Sequence, residues 1–200
     1  MLNLPTILKL TEEQEEIIKD FGTLTKKHWN HQKDKLRIPI RDSLMSMQNN
    51  RCVYCDVPTD DPEDVEHIAH KADYPQFVFT PENLAYCCKN CNQTYKSSTD
   101  VIETLADKYE NCTFKMVHPY RDNVDEYFDT RYKVITTIRP NLSTEKREKA
   151  IFTFNLLRWG TRSVQRRRAR FYSSEKFCST NNTDIDKLID DALAAKPSIL

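Results

Sequence analysis

Four cysteines fall in two Cys-x-x-Cys pairs, Cys52 with Cys55 and Cys88 with Cys91. Glu66-His67 and Asn83 lie between the pairs, and Asn92 directly follows the last cysteine. Two dithiol knuckles supply the four thiolates of a closed, tetrahedral structural zinc site. A carboxylate, an imidazole and two amides beside such a site are the groups needed to cut a phosphodiester. A redox dithiol or a disulfide is the weaker reading. Met1 to Leu10 lack a basic leader region, the acidic run Glu12, Glu13, Glu15, Glu16 follows, and no apolar stretch approaches membrane-spanning length. The expectation is a soluble, cytoplasmic chain whose thiols stay reduced and available to metal. Cys87 could replace Cys88, but only Cys88 keeps the two-residue gap to Cys91. Cys112 and Cys178 have no partner pattern and read as small buried hydrophobes.

The 32 residues between Cys55 and Cys88 exceed the roughly 15–20 of a simple zinc ribbon, so something is built inside them. Asp64 to Ile68 reads as a strand, Asn83 to Cys87 as a second, and Asn90 through Lys96 as a helix start. Strand alternation sends Glu66 and His67 to opposite faces, so a bend or bulge at the strand end is needed to bring them together. Elsewhere Thr11 caps a helix carrying Ile17 and Ile18, and Ile40 to Gln48 forms another that leads into Cys52. Ser98 or Thr99 caps a helix reaching about Lys108. Lys133 to Ile138 is β-branched and alternating, which predicts a strand. Ser143 caps a helix from Thr144 to about Phe154, and Gly160 breaks it from another running through Phe171. The expected fold is α+β and mostly helical: an N-terminal helical segment (1–50), a zinc-stapled core (51–110) and a C-terminal extension with a short strand and helices (111–200).

The string Glu66-His67-Ile68, Asn83-Leu84, Cys88-x-x-Cys91-Asn92 and Lys96 resembles the HNH, or ββα-metal, endonucleases over about forty residues, in the family's order. The resemblance implies that His67 is the general base, since a neutral imidazole can take a proton near pH 7. It implies that Glu66 and Asn92 hold one divalent cation, magnesium or manganese, for which oxygen ligands are suited. Asn83 is expected to fasten the loop and orient His67. The sequence departs from the commonest pattern twice: Glu66 stands where aspartate is frequent, and Asn92 where histidine is frequent, which leaves metal preference open. His28 and His31 have no third ligand nearby and read as exposed helix or loop residues.

Thirty basic and thirty acidic residues give a formal net charge of zero, but the charge is segregated. Residues 26–41 hold Lys26, Lys27, Lys33, Lys35, Arg37 and Arg41 against Asp34. Residues 141–170 hold nine lysines or arginines against Glu145 and Glu148. Such islands can neutralise phosphates despite a zero total. Candidate DNA contacts are Lys71, Lys96 and a four-residue-step stripe of Arg158, Arg162, Arg166 and Arg170; a solvated face or a protein-docking face is the competing reading. The acidic residues Asp56, Asp60, Asp61, Glu63 and Asp64 are expected to face away from DNA or toward a partner. Beyond the core, Asn50-Arg51-Cys52-x-Tyr54-Cys55, Tyr74-Pro75-x3-Phe79, His118-Pro119-Tyr120-x-Asp122, Tyr127-Phe128 and Phe154-Asn155-Leu156 resemble the small HNH subunits of Septu (PtuB-type) anti-phage systems. That resemblance implies a defence nuclease partnered by an ABC-type ATPase. The ATPase must be another protein, because the chain has no Gly-x4-Gly-Lys-Ser/Thr phosphate loop. A stand-alone restriction or homing-type HNH nuclease, and a non-catalytic zinc-knuckle adaptor for DNA or a protein, are the other readings.

Overall fold

A computed structural model describes residues 1–59, 63–131 and 135–172. Thr11 opens α1 (Glu12–Asp20) with a capping box: its hydroxyl accepts from the Gln14 amide, and the Gln14 side chain accepts from the Thr11 amide. In α2 (Arg37–Met47) Pro39 sits in the first turn, where its missing N–H has no partner to lose. Ile40 and Leu44 turn inward. With two glycines in the chain, Asn49, Asn50, Asp56 and Asn141 take left-handed backbone positions, which their short polar side chains tolerate.

β1 (Asp64–His67) pairs antiparallel with β2 (Leu84–Cys87), Val65 opposite Tyr86 and His67 opposite Leu84. The hairpin has two working faces. Val65, Leu84 and Tyr86 pack on Trp29, Leu36, Ile40, Leu44, Val78 and Phe79. Asp64 and Glu66 instead meet a π-helical turn, Asn90–Lys96, in which the Ser97 amide bonds to the Asn92 carbonyl five residues back at 2.8 Å. The register is regular through Glu66 and His67, so the expected bend or bulge is absent and the two side chains leave opposite faces.

The helix expected from Ser98 to Lys108 is not there. Its β-branched run forms β3 (Ile102–Thr104), paired with β4 (Thr113–Phe114). Asp100, whose side chain accepts from the Ile102 amide at 3.0 Å, holds the chain in a turn in place of a helix start. A short helix α3 (Val124–Tyr127) leads into β5 (Phe128–Arg131), which pairs with β6 (Ile135–Ile138). Lys133 and Val134 of the expected strand lie outside the described residues, as do Asp60, Asp61 and Cys178. Ser143 caps α4 (Thr144–Leu156), and α5 spans Arg162–Tyr172. Between them Gly160 leaves room for Phe154: a Cβ there would lie 2.8 Å from the ring's Cε1, so the ring would have to shift. Arg158 falls in this break at φ 53°, so it does not share a helical stripe with Arg162 and Arg166.

The described residues thus combine helices with three two-stranded sheets. One apolar cluster runs from Val53, Tyr54 and Phe77 to Met116, Val117, Leu157 and Trp159, so the knuckles and the C-terminal extension share a core. The His118-Pro119-Tyr120-x-Asp122 run is its hub. Tyr120 donates to the Leu84 carbonyl at 2.7 Å, and Asp122 takes bonds from the His118 amide, the Tyr127 hydroxyl and the Lys149 ammonium.

Candidate metal centre and active-site cleft

The sulfurs of Cys52, Cys55, Cys88 and Cys91 all lie within 4.8 Å of one another and are buried. Zinc–sulfur bonds of about 2.3 Å in a tetrahedron place sulfurs roughly 3.8 Å apart; the Cys55 and Cys88 sulfurs are 3.9 Å apart. The four-cysteine cluster can therefore bind zinc. Each knuckle is made by its backbone. Asp56 follows the first at φ 58°, its amide bonded to the Cys52 carbonyl, and Arg51 pairs with the Asp56 carboxylate at 2.6 Å. The second knuckle joins the end of β2 to the π-helix. Burial pushes the Cys52 thiol up, while hydrogen bonds from Cys52, Cys55 and Cys91 hold Cys88 far below the usual thiol range. Cys87 sits 3.6 Å from Cys52 but outside the four-sulfur group.

A guanidinium that sequence reasoning missed closes this cluster. Nη2 of Arg167 lies 3.0 Å from the Cys55 sulfur and 3.6 Å from those of Cys88 and Cys91. The pattern of arginines on α5 suggested one exposed stripe, and nothing in it singled out Arg167. Arg166 is exposed, while Arg168 is buried and donates to Thr136.

At the far end of the hairpin, Glu66, His67, His70, Lys71, Asn92, Gln93, Ser97 and Ser98 line an open cleft of about 260 Å³. His67 is 3% exposed. Its Nε2 is 3.1 Å from the Val78 carbonyl, its Nδ1 is buried without a partner, and Trp29 meets the ring edge-on at 4.6 Å. Burial, with help from the Lys71 and Lys96 charges, holds the imidazole well below its usual 6.5. Asn83 is fully buried. Its Oδ1 accepts from the Ala69 amide at 2.6 Å, and its Nδ2 donates to the Ala69 and Phe77 carbonyls. One amide thus ties the loop after His67 to the loop that carries Val78.

Lys96 was expected to touch DNA, and the structure places it elsewhere. It has no exposed surface; its ammonium is 2.8 Å from Glu66 Oε1 and donates to the His67 carbonyl at 3.0 Å. Spacing alone could not show this, because a lysine in a basic setting looks the same whether it points out or in. Tyr54 also donates to Glu66 Oε1 at 3.1 Å. Burial raises the Glu66 carboxyl, against the pull of Lys96. Asn92 Nδ2 and Gln93 Nε2 both donate to Asp64 Oδ2, at 3.3 and 2.7 Å. Asp64, expected to face away from DNA or toward a partner, therefore fixes the amide of Asn92. Lys71 is half-buried at the cleft, and burial lowers its ammonium. Arg162 and Arg166 sit on α5 with the zinc knuckles, and Arg170 lies in the same helix.

No protein-family model matches the chain. The chain is similar to the Septu protein PtuB of Bacillus thuringiensis, with 33% identity over 87 residues, which make up 42% of this chain and 32% of that protein. The match therefore spans about a third of the relative's length. Among the described residues no helix is long and apolar enough to cross a membrane.

Proposed function

We propose that this chain is a zinc-stapled, divalent-dependent HNH endonuclease that hydrolyses DNA phosphodiesters, acting as the nuclease subunit of an anti-phage complex with an ABC-type ATPase. The observation that carries this reading is the state of His67. A carbonyl only accepts, so Nε2 bears the ring proton and Nδ1 the lone pair. Its depressed pKa keeps that lone pair free at neutral pH. Nδ1 is thus a buried base with no hydrogen-bond partner among the described residues, on a residue that lines an open cleft. It takes the proton of the water that attacks phosphorus. Asn83 holds the loop that sets the ring's position. Lys96 holds Glu66 and the His67 backbone together, and Lys71 faces the phosphate's negative oxygens.

Glu66 Oε2 and Asn92 Oδ1 carry no described hydrogen bond, and both residues line the cleft. They are oxygen donors, which suits magnesium or manganese. No group of three His, Cys, Asp or Glu ligands other than the four cysteines occurs among the described residues. Two protein ligands, with water and phosphate completing the shell, is how magnesium is commonly held. When bound, that cation supplies charge stabilisation at the scissile phosphate and leaving oxygen.

The partial likeness to PtuB supports the defence role and the complex. The test is cleavage of supercoiled DNA by zinc-loaded protein with magnesium or manganese, with and without the neighbouring ATPase. Divalent-dependent strand breaks, lost in chelator, are expected. No breaks under either condition would reject the nuclease and favour a binding adaptor. Full activity indifferent to the ATPase would favour a stand-alone enzyme.

A further inference from the structure

We propose that the nucleic-acid backbone is held by the N-terminal basic segment, through Lys26, Lys27, Lys33 and Arg37, and not by the arginines of α5. This rests on the nuclease reading and names the surface that feeds its cleft. The first observation is placement. Trp29 lies within the segment and packs edge-on against His67 at 4.6 Å. Arg37, the first residue of α2, donates to the side chain of Asn30 at 3.2 Å, tying the helix start to the Trp29 segment. Phe21 stacks on His28 at 4.5 Å and on Phe79 at 6.0 Å, which pins the same segment from its other side. The segment is therefore fixed against the wall of the His67 cleft.

The second observation is what each island does with its charge. Lys26, Lys27, Lys33 and Arg37 are exposed, and among the described residues none has an ion pair or a carboxylate hydrogen bond. Their neighbours Lys35 and Arg41 are paired, with Glu13 and Asp42. The C-terminal island is mostly occupied internally. Lys146 pairs with Glu126, Lys149 with Asp122, Arg158 covers the Tyr95 ring, Arg167 meets the cysteine sulfurs and Arg168 bonds Thr136. Arg162 and Arg166 are also engaged.

The third is the cleft itself. Lys71 has no ion pair among the described residues, and the Arg37 charge reaches it and adds to the lowering of its pKa. A cation at the cleft beside a buried imidazole nitrogen with no partner among the described residues is a place for an anion to enter. A phosphodiester backbone presents such charges in a row. The duplex would then lie along the Lys26–Arg37 segment and enter at Lys71, at the His67 end of the hairpin.

The experiment compares two full-length, zinc-loaded variants by fluorescence anisotropy with a labelled duplex across a salt series. One carries Lys26→Gln, Lys27→Gln, Lys33→Gln and Arg37→Gln. The other removes equal charge from the C-terminal island, with Arg147→Gln, Arg162→Gln, Arg166→Gln and Arg170→Gln. The first should bind on the order of tenfold or more weaker, with the slope of log affinity against log salt flattened by up to about 3.6, since each phosphate contact contributes about 0.9. The second should stay close to wild type. A smaller pair, Lys33→Gln with Arg37→Gln, should give about half the slope change. Circular dichroism and zinc content check that each variant is folded. Equal losses in the two sets would overturn the assignment and leave the nuclease reading standing. Wild-type protein that neither binds nor cuts nucleic acid would overturn the nuclease reading itself.

Discussion

At the scale of single residues, the account turns on two buried groups. His67 is held neutral by burial, with its pKa well below 6.5. As a base it must be unprotonated, so lowering the pH through 6.5 should leave cleavage on its plateau, with the fall coming only at more acidic pH. A rate that halves near the ordinary histidine value would contradict the burial seen here. Lys96 and Glu66 form an ion pair with almost no exposed surface. Lys96→Met strands the carboxylate and should cost about 3–5 kcal/mol, read as a lower denaturation midpoint. Glu66→Gln with Lys96→Met should recover part of that loss; if the double variant is no more stable than the single, the pair is not the source. The types and spacing of Glu66, His67, Asn83 and Asn92 were legible in the sequence. The inward turn of Lys96 and the hold of Asp64 on Asn92 were not, because both are three-dimensional pairings across 29 and 28 residues or more.

At the scale of elements, the hairpin and the caps were readable because local chemistry decides them. The runs Asp64 to Ile68 and Asn83 to Cys87 gave β1 and β2, Thr11 and Ser143 capped as side-chain oxygens do, and Gly160 marked the break before α5. Residues 99–108 misled because their composition allows a helix, while pairing of Ile102 with Phe114 overrides it. The docking of α5 on the cysteine cluster could not be read from sequence, since it depends on one guanidinium among several. Arg167→Gln should therefore speed zinc loss to a chelator, whereas exposed Arg166→Gln should not; equal rates would deny the clamp. Another element-level test is the His118 hub. The Tyr120 amide donates to Nδ1, so the ring is neutral and Nε2 donates to the Tyr109 hydroxyl. Burial lowers its pKa well below the usual 6.5. The unfolded chain therefore binds the proton more readily, and stability should be full above about pH 6.5 and decline as the pH falls through it. His118→Gln should flatten that decline in a series of denaturant melts from about pH 7.5 to about pH 5.5; an unchanged pH slope would move the effect to another group.

At the scale of the whole molecule, a zero net charge, with a basic segment only partly paired and a C-terminal island mostly occupied internally, suits a subunit whose grip on DNA is weak alone. Screening over about 8 Å at physiological salt weakens it further. The four-cysteine cluster and the two extensions form one unit: the knuckles meet at one end of the hairpin, Arg167 of α5 closes over their sulfurs, and Tyr120 anchors the C-terminal extension to β2. Cys52→Ser should lower both zinc content and folded yield, because metal-binding energy at such a site is folding energy; a folded, zinc-free variant would contradict this. The central claim is that His67 is the base in a cleft built for phosphodiester hydrolysis. Its most direct test is single-turnover DNA cleavage by wild-type and His67→Ala proteins, matched for zinc content and melting temperature, at equal magnesium or manganese and with the proposed ATPase present. Divalent-dependent cleavage by the wild type and its loss in His67→Ala are expected, with zinc and fold retained. Cleavage by His67→Ala at the wild-type rate would contradict it.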